Sequence, residues 1–176
     1  MLNSGRWVKR NQRANPPSHV EFFPLTTSSA KSDLPDGVTI RQALPSDAQA
    51  IHVLLRPFVM KRLLLDRSEA ELIELTRHGF VAVSGEKETC VGFSAVEVYS
   101  TKLAELQCLA VDKAHHGTGI GSVLVNACVR RANELGVMEV LAISSSEDFF
   151  QRCGFDYALP DQKKAFFLQL RPRHPE

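Results

Sequence analysis

The apolar and polar positions of this chain fall into short alternating stretches interleaved with stretches of helical spacing. Residues 38–43 alternate and predict an opening strand. Pro45-Ser46-Asp47 then starts a helix, with Ser46 and Gln49 at capping-box spacing and Ile51, Leu54 and Leu55 as its apolar face. Arg56-Pro57 predicts a break or kink. Ser68 and Glu71 form a second box, predicting a short helix over residues 69–77. Residues 79–84 and 90–99 read as strands joined by a hairpin connection at Gly85-Glu86-Lys87-Glu88. His52 and His78 read as partly exposed helix residues rather than ligands. Residues 104–111 read as the next strand, in which 106–111 form a short apolar run suited to burial. From Ile120 the spacing turns helical, with Ile120, Leu124, Ala127, Cys128 and Leu135 on one stripe and Gly136 as the stop. Residues 138–143 read as strand, Ser144-Ser145-Ser146 as loop, and 147–152 as a short helix stopped at Gly154. Residues 155–158 and 165–170 supply the last strands.

Between the 104–111 strand and the long helix, Gly117, Gly119 and Gly121 alternate. Glycines at such a bend let the backbone approach a ligand and point N–H groups outward, at the positive end of the following helix. A diphosphate suits that site; a purely structural turn is the competing reading. No lysine follows Gly121, so the bend is not a P-loop. A dinucleotide fingerprint beginning at Gly117 needs glycine where Ser122 stands. Glu139 lies about twenty residues beyond Gly119, as that fingerprint asks, so the dinucleotide reading is weakened and not excluded.

With 176 residues, one domain is the default. A formal net charge of +1 gives no reason to expect a nucleic-acid partner. No apolar run approaches the roughly 18 residues of a membrane span, and no secretory core opens the chain; a cytoplasmic protein without a membrane partner is expected. Cys90, Cys108, Cys128 and Cys153 lie singly, with no C-x-x-C pair, so a zinc site is not expected and a reducing compartment is. Cys108 stands out because it sits on the central strand. Residues 1–37 are polar, basic at first, and read as a flexible or loosely docked leader before a domain at 38–176. A transit peptide shares that composition, but residues 11–17 make a poor amphipathic helix. Residues 20–25 are the part of the leader suited to packing on the domain.

The segment V-D-K-A-H-H-G-T-G-I-G-S-V-L resembles the acetyl-coenzyme A motif of the GNAT superfamily of N-acetyltransferases, whose core is Arg/Gln-x-x-Gly-x-Gly/Ala. Here it reads His116-Gly117-Thr118-Gly119-Ile120-Gly121. His116 replaces the usual Arg or Gln, which is expected to weaken one side-chain contact and leave the backbone cradle. The later F-F-Q-R-C-G-F falls where that family has it. The resemblance covers residues 38–170. It implies an α/β (α+β) fold: a mixed, mostly antiparallel sheet splayed at the acetyl-CoA site and flanked by about four helices. It also implies acetyl-CoA as co-substrate, with no metal. Within the superfamily, Arg56-Pro57 and Leu65-Asp66-Arg67-Ser68 resemble the "R-P … L-x-R-S" segment of the acetyltransferase domain of N-acetylglutamate synthases. Residues 105–111 resemble that group's "G-E-x-A-C-x-x-V" strand, with Ala104 for Gly and Gln107 for Ala. Phe149-Phe150 stands for its Trp-Phe, and Leu159-Pro160 with Lys163-Lys164 for its "L-P-x-x-x-K" tail. The final AFFLQLRPR departs from the group's Tyr/Asn/Arg/Ser-rich strand. The long synthases also carry a kinase-like, arginine-binding domain; 37 leader residues are too few for it, so feedback of that type is not expected here.

The chemistry so implied is N-acetyl transfer to the α-amine of a small amino acid, L-glutamate first, as in arginine biosynthesis. The backbone of His116, Gly117, Thr118, Gly119, Ile120 and Gly121 would hold the diphosphate. Cys108, Leu109, Ala110 and Val111 would pair along the pantetheine arm, beside Phe149 and Phe150. The N–H of Leu109 or Cys108 is the candidate donor to the developing oxyanion. Glu105 is the candidate base, directly or through water, with Glu97 second; a solvated strand-end carboxylate is the competing reading. Simple alternation puts Glu105, Gln107 and Leu109 on one face and Leu106, Cys108 and Ala110 on the other. Many relatives place a tyrosine acid where Phe150 stands. Ser144 or Ser145 is the nearest alternative donor for the thiolate, unless the serines simply make a polar loop. Arg67 would clamp the acceptor's carboxylate, with Lys163 or Arg56 for a second one; a plain surface arginine is the alternative. A homodimer is left open. The rival readings are acetylation of another amine (a polyamine, an antibiotic, a protein N-terminus) and a degenerate CoA-binding sensor, the latter motivated by His116 and Phe150.

Overall fold

Four antiparallel strands and one parallel strand build the sheet of this computed structural model, which describes residues 34–156. β1 (Val38–Gln42) leads through a 3-10 turn (Pro45–Asp47) into α1 (Ala48–Met60) and α2 (Glu69–Thr76). β2 (Gly79–Ser84), β3 (Thr89–Val98) and β4 (Leu103–Val111) follow as a meander. α3 (Ile120–Glu134), β5 (Glu139–Ala142) and α4 (Glu147–Arg152) complete the described chain. Strand order is β1-β2-β3-β4-β5, antiparallel except for the β4–β5 pair. This is the mixed, mostly antiparallel α/β architecture that the family resemblance implies.

Each face of the sheet carries its own core. Val81, Val83, Phe93, Ala95, Cys108 and Ala110 pack beneath Ile51, Leu54 and Leu55 of α1 and Leu72 and Leu75 of α2. On the other face, Val96, Ala104 and Leu106 meet Val125, Cys128 and Ala132 of α3, while Ala82 and Val91 meet Ile120 and Leu124. A fully buried aliphatic or Phe side chain contributes about 1.5–3 kcal/mol, so the two layers together dominate stability. α3 lies close because Gly92 has no side chain. A Cβ there would stand 3.0 Å from Leu124 Cδ1, 3.1 Å from Ala82 Cβ and 3.2 Å from Ile120 Cγ2.

Several local expectations need correction. Ser46 and Gln49 do not cap α1. The Asp47 carboxylate instead accepts from the Leu44 N–H at 2.7 Å and is held by Arg41 at 2.7 and 3.0 Å, which keeps its pKa below the usual carboxylate range. α1 does not break at Arg56-Pro57, since proline removes one donor and the helix runs on to Met60. It ends with Arg62 in the left-handed region (φ 57), where Arg62 N donates to Val59 O and Leu63 N to Phe58 O. Leu135 is exposed because the chain turns away at the end of α3, and Val125 and Ala132 complete the buried stripe. His78 lies in the turn after α2, where its Nδ1 accepts from Arg131 Nε at 3.3 Å; burial and that guanidinium lower its pKa. The Ser68–Glu71 box forms as expected, Ser68 N donating to the Glu71 carboxylate at 2.8 Å, and α3 and α4 stop before Gly136 and Gly154.

Leu34 packs against the Ala82 and Ile120 cluster, Val38 N donates to Pro35 O, and Gly85 N donates to Gly37 O, so residues 34–37 belong to the folded domain. Residues 1–33 and 157–176, which include Lys163, the expected strand at 165–170 and the second half of the one expected at 155–158, lie outside the described residues. Phe155 and Asp156 are not in a strand.

Candidate active site

β5 follows β4 only from Leu103 opposite Glu139 to Leu106 opposite Ala142. Beyond that, among the described residues, the β5-facing edge of β4 has no strand partner. The sheet therefore opens from Gln107 to Val111, and a cleft of about 1010 Å³ occupies the opening.

The same stretch of β4 carries a bulge. Phe93 pairs with Ala110 and Ala95 with Gln107, so Ser94 alone faces both Cys108 and Leu109. Cys108 takes φ 56, a left-handed conformation uncommon for a residue with a Cβ. The extra residue reverses the alternation. Gln107, Cys108 and Ala110 lie on the α1–α2 side, whereas Leu106, Leu109 and Val111 lie toward α3. The uniform two-face pattern expected for this strand is thus wrong beyond Gln107. All of Glu105, Cys108, Leu109, Ala110 and Val111 line the cleft. Burial pushes the Cys108 thiol up to about 11, against the smaller opposing effect of Arg67, so it is not a nucleophile at neutral pH.

At one end of the cleft lies the glycine bend. Gly117 (φ 76) and Gly119 (φ 85) are left-handed, and Gly119 is the N-cap of α3. Among the described residues, no hydrogen bond occupies the amides from Gly117 to Ser122. They stand at the positive end of a 15-residue helix. Gly121 leaves room for Phe149, whose ring would touch an added Cβ at 3.4 Å. The His116 ring does not reach for an anion. Its Nε2 lies 2.8 Å from Val111 O, and since a carbonyl only accepts, that nitrogen carries the proton. His116 thereby fastens the bend to the end of β4. His116, Gly117, Gly119, Ile120 and Gly121 line the cleft; Thr118 faces a neighbouring depression with Leu34 and Pro35, and its hydroxyl donates to His115 O at 2.6 Å.

Polar side chains gather at the other end. Arg67, fixed just ahead of the α2 cap, has a side chain 19% exposed. Its Nη2 donates to Gln107 Oε1 at 2.9 Å, its Nη1 lies 3.7 Å from Glu71, and its buried Nε has no partner among the described residues. Glu105 Oε2 accepts from the Tyr99 hydroxyl at 2.5 Å. Glu97 is the cross-strand partner of Glu105 but does not line the cleft. Ser144, Phe149 and Phe150 line it from the β5–α4 side, the two rings meeting edge to face with centroids 5.2 Å apart.

Arg56 is exposed on α1 and does not reach the cleft. Arg62 and Arg152 do, and neither was legible as a site residue: Arg62 arrives through the left-handed end of α1, which no spacing rule foretells. Tyr99 was missed as well, because its place beside Glu105 depends on the β3–β4 register. Among the described residues there is no group of three or more His, Cys, Asp or Glu placed to hold a metal ion, and no helix is long and apolar enough to cross a membrane.

Known proteins share these features. The model of the acetyltransferase (GNAT) family matches residues 48–155. An uncharacterized N-acetyltransferase of Chlorobaculum tepidum is 34% identical over 116 residues, covering 66% of this chain and 74% of that protein. The amino-acid acetyltransferase of Pasteurella multocida is 30% identical over 158 residues, 86% of this chain but 35% of its own length. The chain thus spans about a third of that relative. Among solved structures, N-acetylglutamate synthase from Neisseria gonorrhoeae, complexed with coenzyme A and N-acetyl-glutamate, superposes with a TM-score of 0.63 at 26% identity, covering 72% of this chain and 30% of that one. An opened mixed sheet, a glycine bend at the head of α3 and the family match lead to one conclusion: this chain belongs to the acetyltransferase (GNAT) family.

Proposed function

We propose that this acetyltransferase moves the acetyl group of acetyl-CoA to the α-amine of a small amino acid, with L-glutamate the first candidate, in a cytoplasmic biosynthesis of the arginine type. The observation that carries the reading is the charge layout of the cleft. A partly buried guanidinium with an unused donor, Arg67, shares one end with a carboxylate, Glu105. A zwitterionic acceptor needs that pair: a planar fork for its carboxylate and a base for its ammonium. A polyamine would find the guanidinium repulsive. Similarity to relatives named amino-acid acetyltransferase points the same way.

The residues present suit coenzyme A. The amides of Gly117 to Ser122 and the edge of β4 beyond Leu106, neither of them paired among the described residues, offer donors to a diphosphate and hydrogen bonds to an extended amide-bearing arm. Acetyl-CoA, when bound, supplies an activated thioester carbonyl. Around it, Glu105 takes a proton from the acceptor ammonium, directly or through one water. The N–H of Leu109 or Cys108 donates to the carbonyl oxygen as its charge grows, a contribution of about 3–4 kcal/mol for one such donor in other acyl-transfer enzymes. The amine nitrogen would bond to the acyl carbon as the carbon–sulfur bond breaks, the second proton of that nitrogen would leave to water, and Ser144, which lines the cleft, is the proposed donor to the departing thiolate. Phe149 and Phe150 shield that end from water.

Purified protein incubated with acetyl-CoA and a panel of amines tests the reading through release of free thiol. L-glutamate is expected to give the largest kcat/KM. Preference for spermidine or an N-terminal peptide would overturn the substrate class, and binding of acetyl-CoA with no thiol released from any amine would identify a sensor.

A further inference from the structure

The polar side chains at the acceptor end of the cleft form one directed string. Arg67 Nη2 donates to Gln107 Oε1 at 2.9 Å, Gln107 Nε2 donates to Tyr99 Oη at 3.5 Å, and the Tyr99 hydroxyl donates to Glu105 Oε2 at 2.5 Å. The order of donors is forced. A guanidinium has only donors, so Gln107 must turn its oxygen to Arg67 and its amino group to Tyr99. The phenol hydrogen is then free to go to Glu105, which as a carboxylate only accepts. Glu97 stands opposite Glu105 in the strand pair and Glu71 stands beside Arg67, so the string threads a locally acidic surface without reversing direction.

We propose that Tyr99 is a positioning residue: it holds one oxygen of Glu105 so that the other faces the acceptor amine, and is itself held by Gln107 and Arg67. The proposal rests on Glu105 being the base. Burial and the Glu105 carboxylate together push the Tyr99 phenol up to about 12, so it stays a donor throughout the working pH range. Arg67 then has two tasks, since the guanidinium proposed to grip the acceptor's carboxylate also sets the orientation of the base. A substrate lacking a carboxylate would leave that geometry unreinforced.

The test combines a spectroscopic and a kinetic arm on the full-length protein. The chain has two tyrosines, so in protein labelled at tyrosine Cζ the signal lost in Tyr99→Phe assigns Tyr99. At pH 8 that signal is expected to shift in both Glu105→Gln and Gln107→Leu. With the best amine of the panel, Tyr99→Phe is expected to lower kcat about tenfold or more, with the KM for acetyl-CoA unchanged within about twofold and thermal unfolding intact. Tyr99→Phe should add no further loss in a Glu105→Gln background, because the two act as one unit. A Cζ signal indifferent to Glu105→Gln overturns the proposal whatever the acceptor is. Full additivity of the two substitutions also overturns it, while leaving Glu105 as base. Retention of full kcat by Glu105→Gln overturns the base reading instead, and the positioning role falls with it.

Discussion

The guanidinium of Arg67 and the side-chain amide of Gln107 are 40 positions apart in the chain and 2.9 Å apart in space. That bond ties the segment ahead of α2 to β4 at the point where the sheet opens. The Ser68–Glu71 capping box holds one end of the tie and the β4 bulge the other, and Leu63 and Leu65 line the cleft nearby in the chain.

Arg67→Ala is expected to raise the KM of the acceptor about 10- to 100-fold, the worth of one or two charge-assisted hydrogen bonds. The KM of acetyl-CoA should change by no more than about twofold. Steady-state kinetics with each substrate varied in turn decide the matter; equal effects on the two would remove Arg67 from the acceptor site.

Glu105→Gln is expected to lower kcat about 100-fold, within the range for loss of a general base. The loss should be deepest at low pH, where free amine is scarcest. A pH–rate profile identical in shape and height to that of the unaltered protein would exclude Glu105 as base.

Gly92→Ala places a methyl group 3.0–3.2 Å from three side chains where α3 meets the sheet. Overpacking of this kind costs about 1–3 kcal/mol, so the midpoint of thermal unfolding should fall by about 2–12 °C at this chain length. Circular dichroism melts would show it, and an unchanged midpoint would mean that α3 can withdraw without cost.

The cysteines set an alkaline limit to stability. Burial pushes Cys90 and Cys108 up to about 11 and Cys128 up to about 12, from 9.0. The folded chain thus keeps thiol protons that the unfolded chain releases. The stabilisation is complete below about pH 9 and is lost as pH rises toward 12. Melting temperatures are expected to be level up to pH 8.5 and to decline between pH 9 and 11, and iodoacetamide at pH 7.5 should modify Cys108 and Cys128 only after unfolding. Rapid alkylation of either in the native protein would contradict their burial.

Much of this fold was legible because its signals are local. The strand and hairpin signal of residues 79–88, the Ser68–Glu71 box and the Gly117–Gly119–Gly121 bend each declare themselves within a few positions. No break occurs at Pro57 because a proline within a helix is tolerated when the packing of Leu54 and Leu55 outweighs one missing hydrogen bond. Cys108 misled because period-two reasoning assumes no surplus residue, and a cysteine gives no hint of a left-handed turn. The neighbours of Glu105 were hidden for a different reason. Tyr99 comes beside it only through the pairing of β3 with β4, and Arg67 joins the group only after two helices have packed on the sheet.

One surplus residue in a nine-residue strand acts like a skipped stitch. Everything before it keeps one pattern of inside and outside, and everything after it is woven the other way. Removing that residue would shorten the strand by a few ångströms and let Leu109 follow Gln107 in plain alternation, so that Leu109, Ala110 and Val111 keep their present sides and only the bend is lost. A deletion there should therefore leave both cores in place and tell instead on the shape of the cleft.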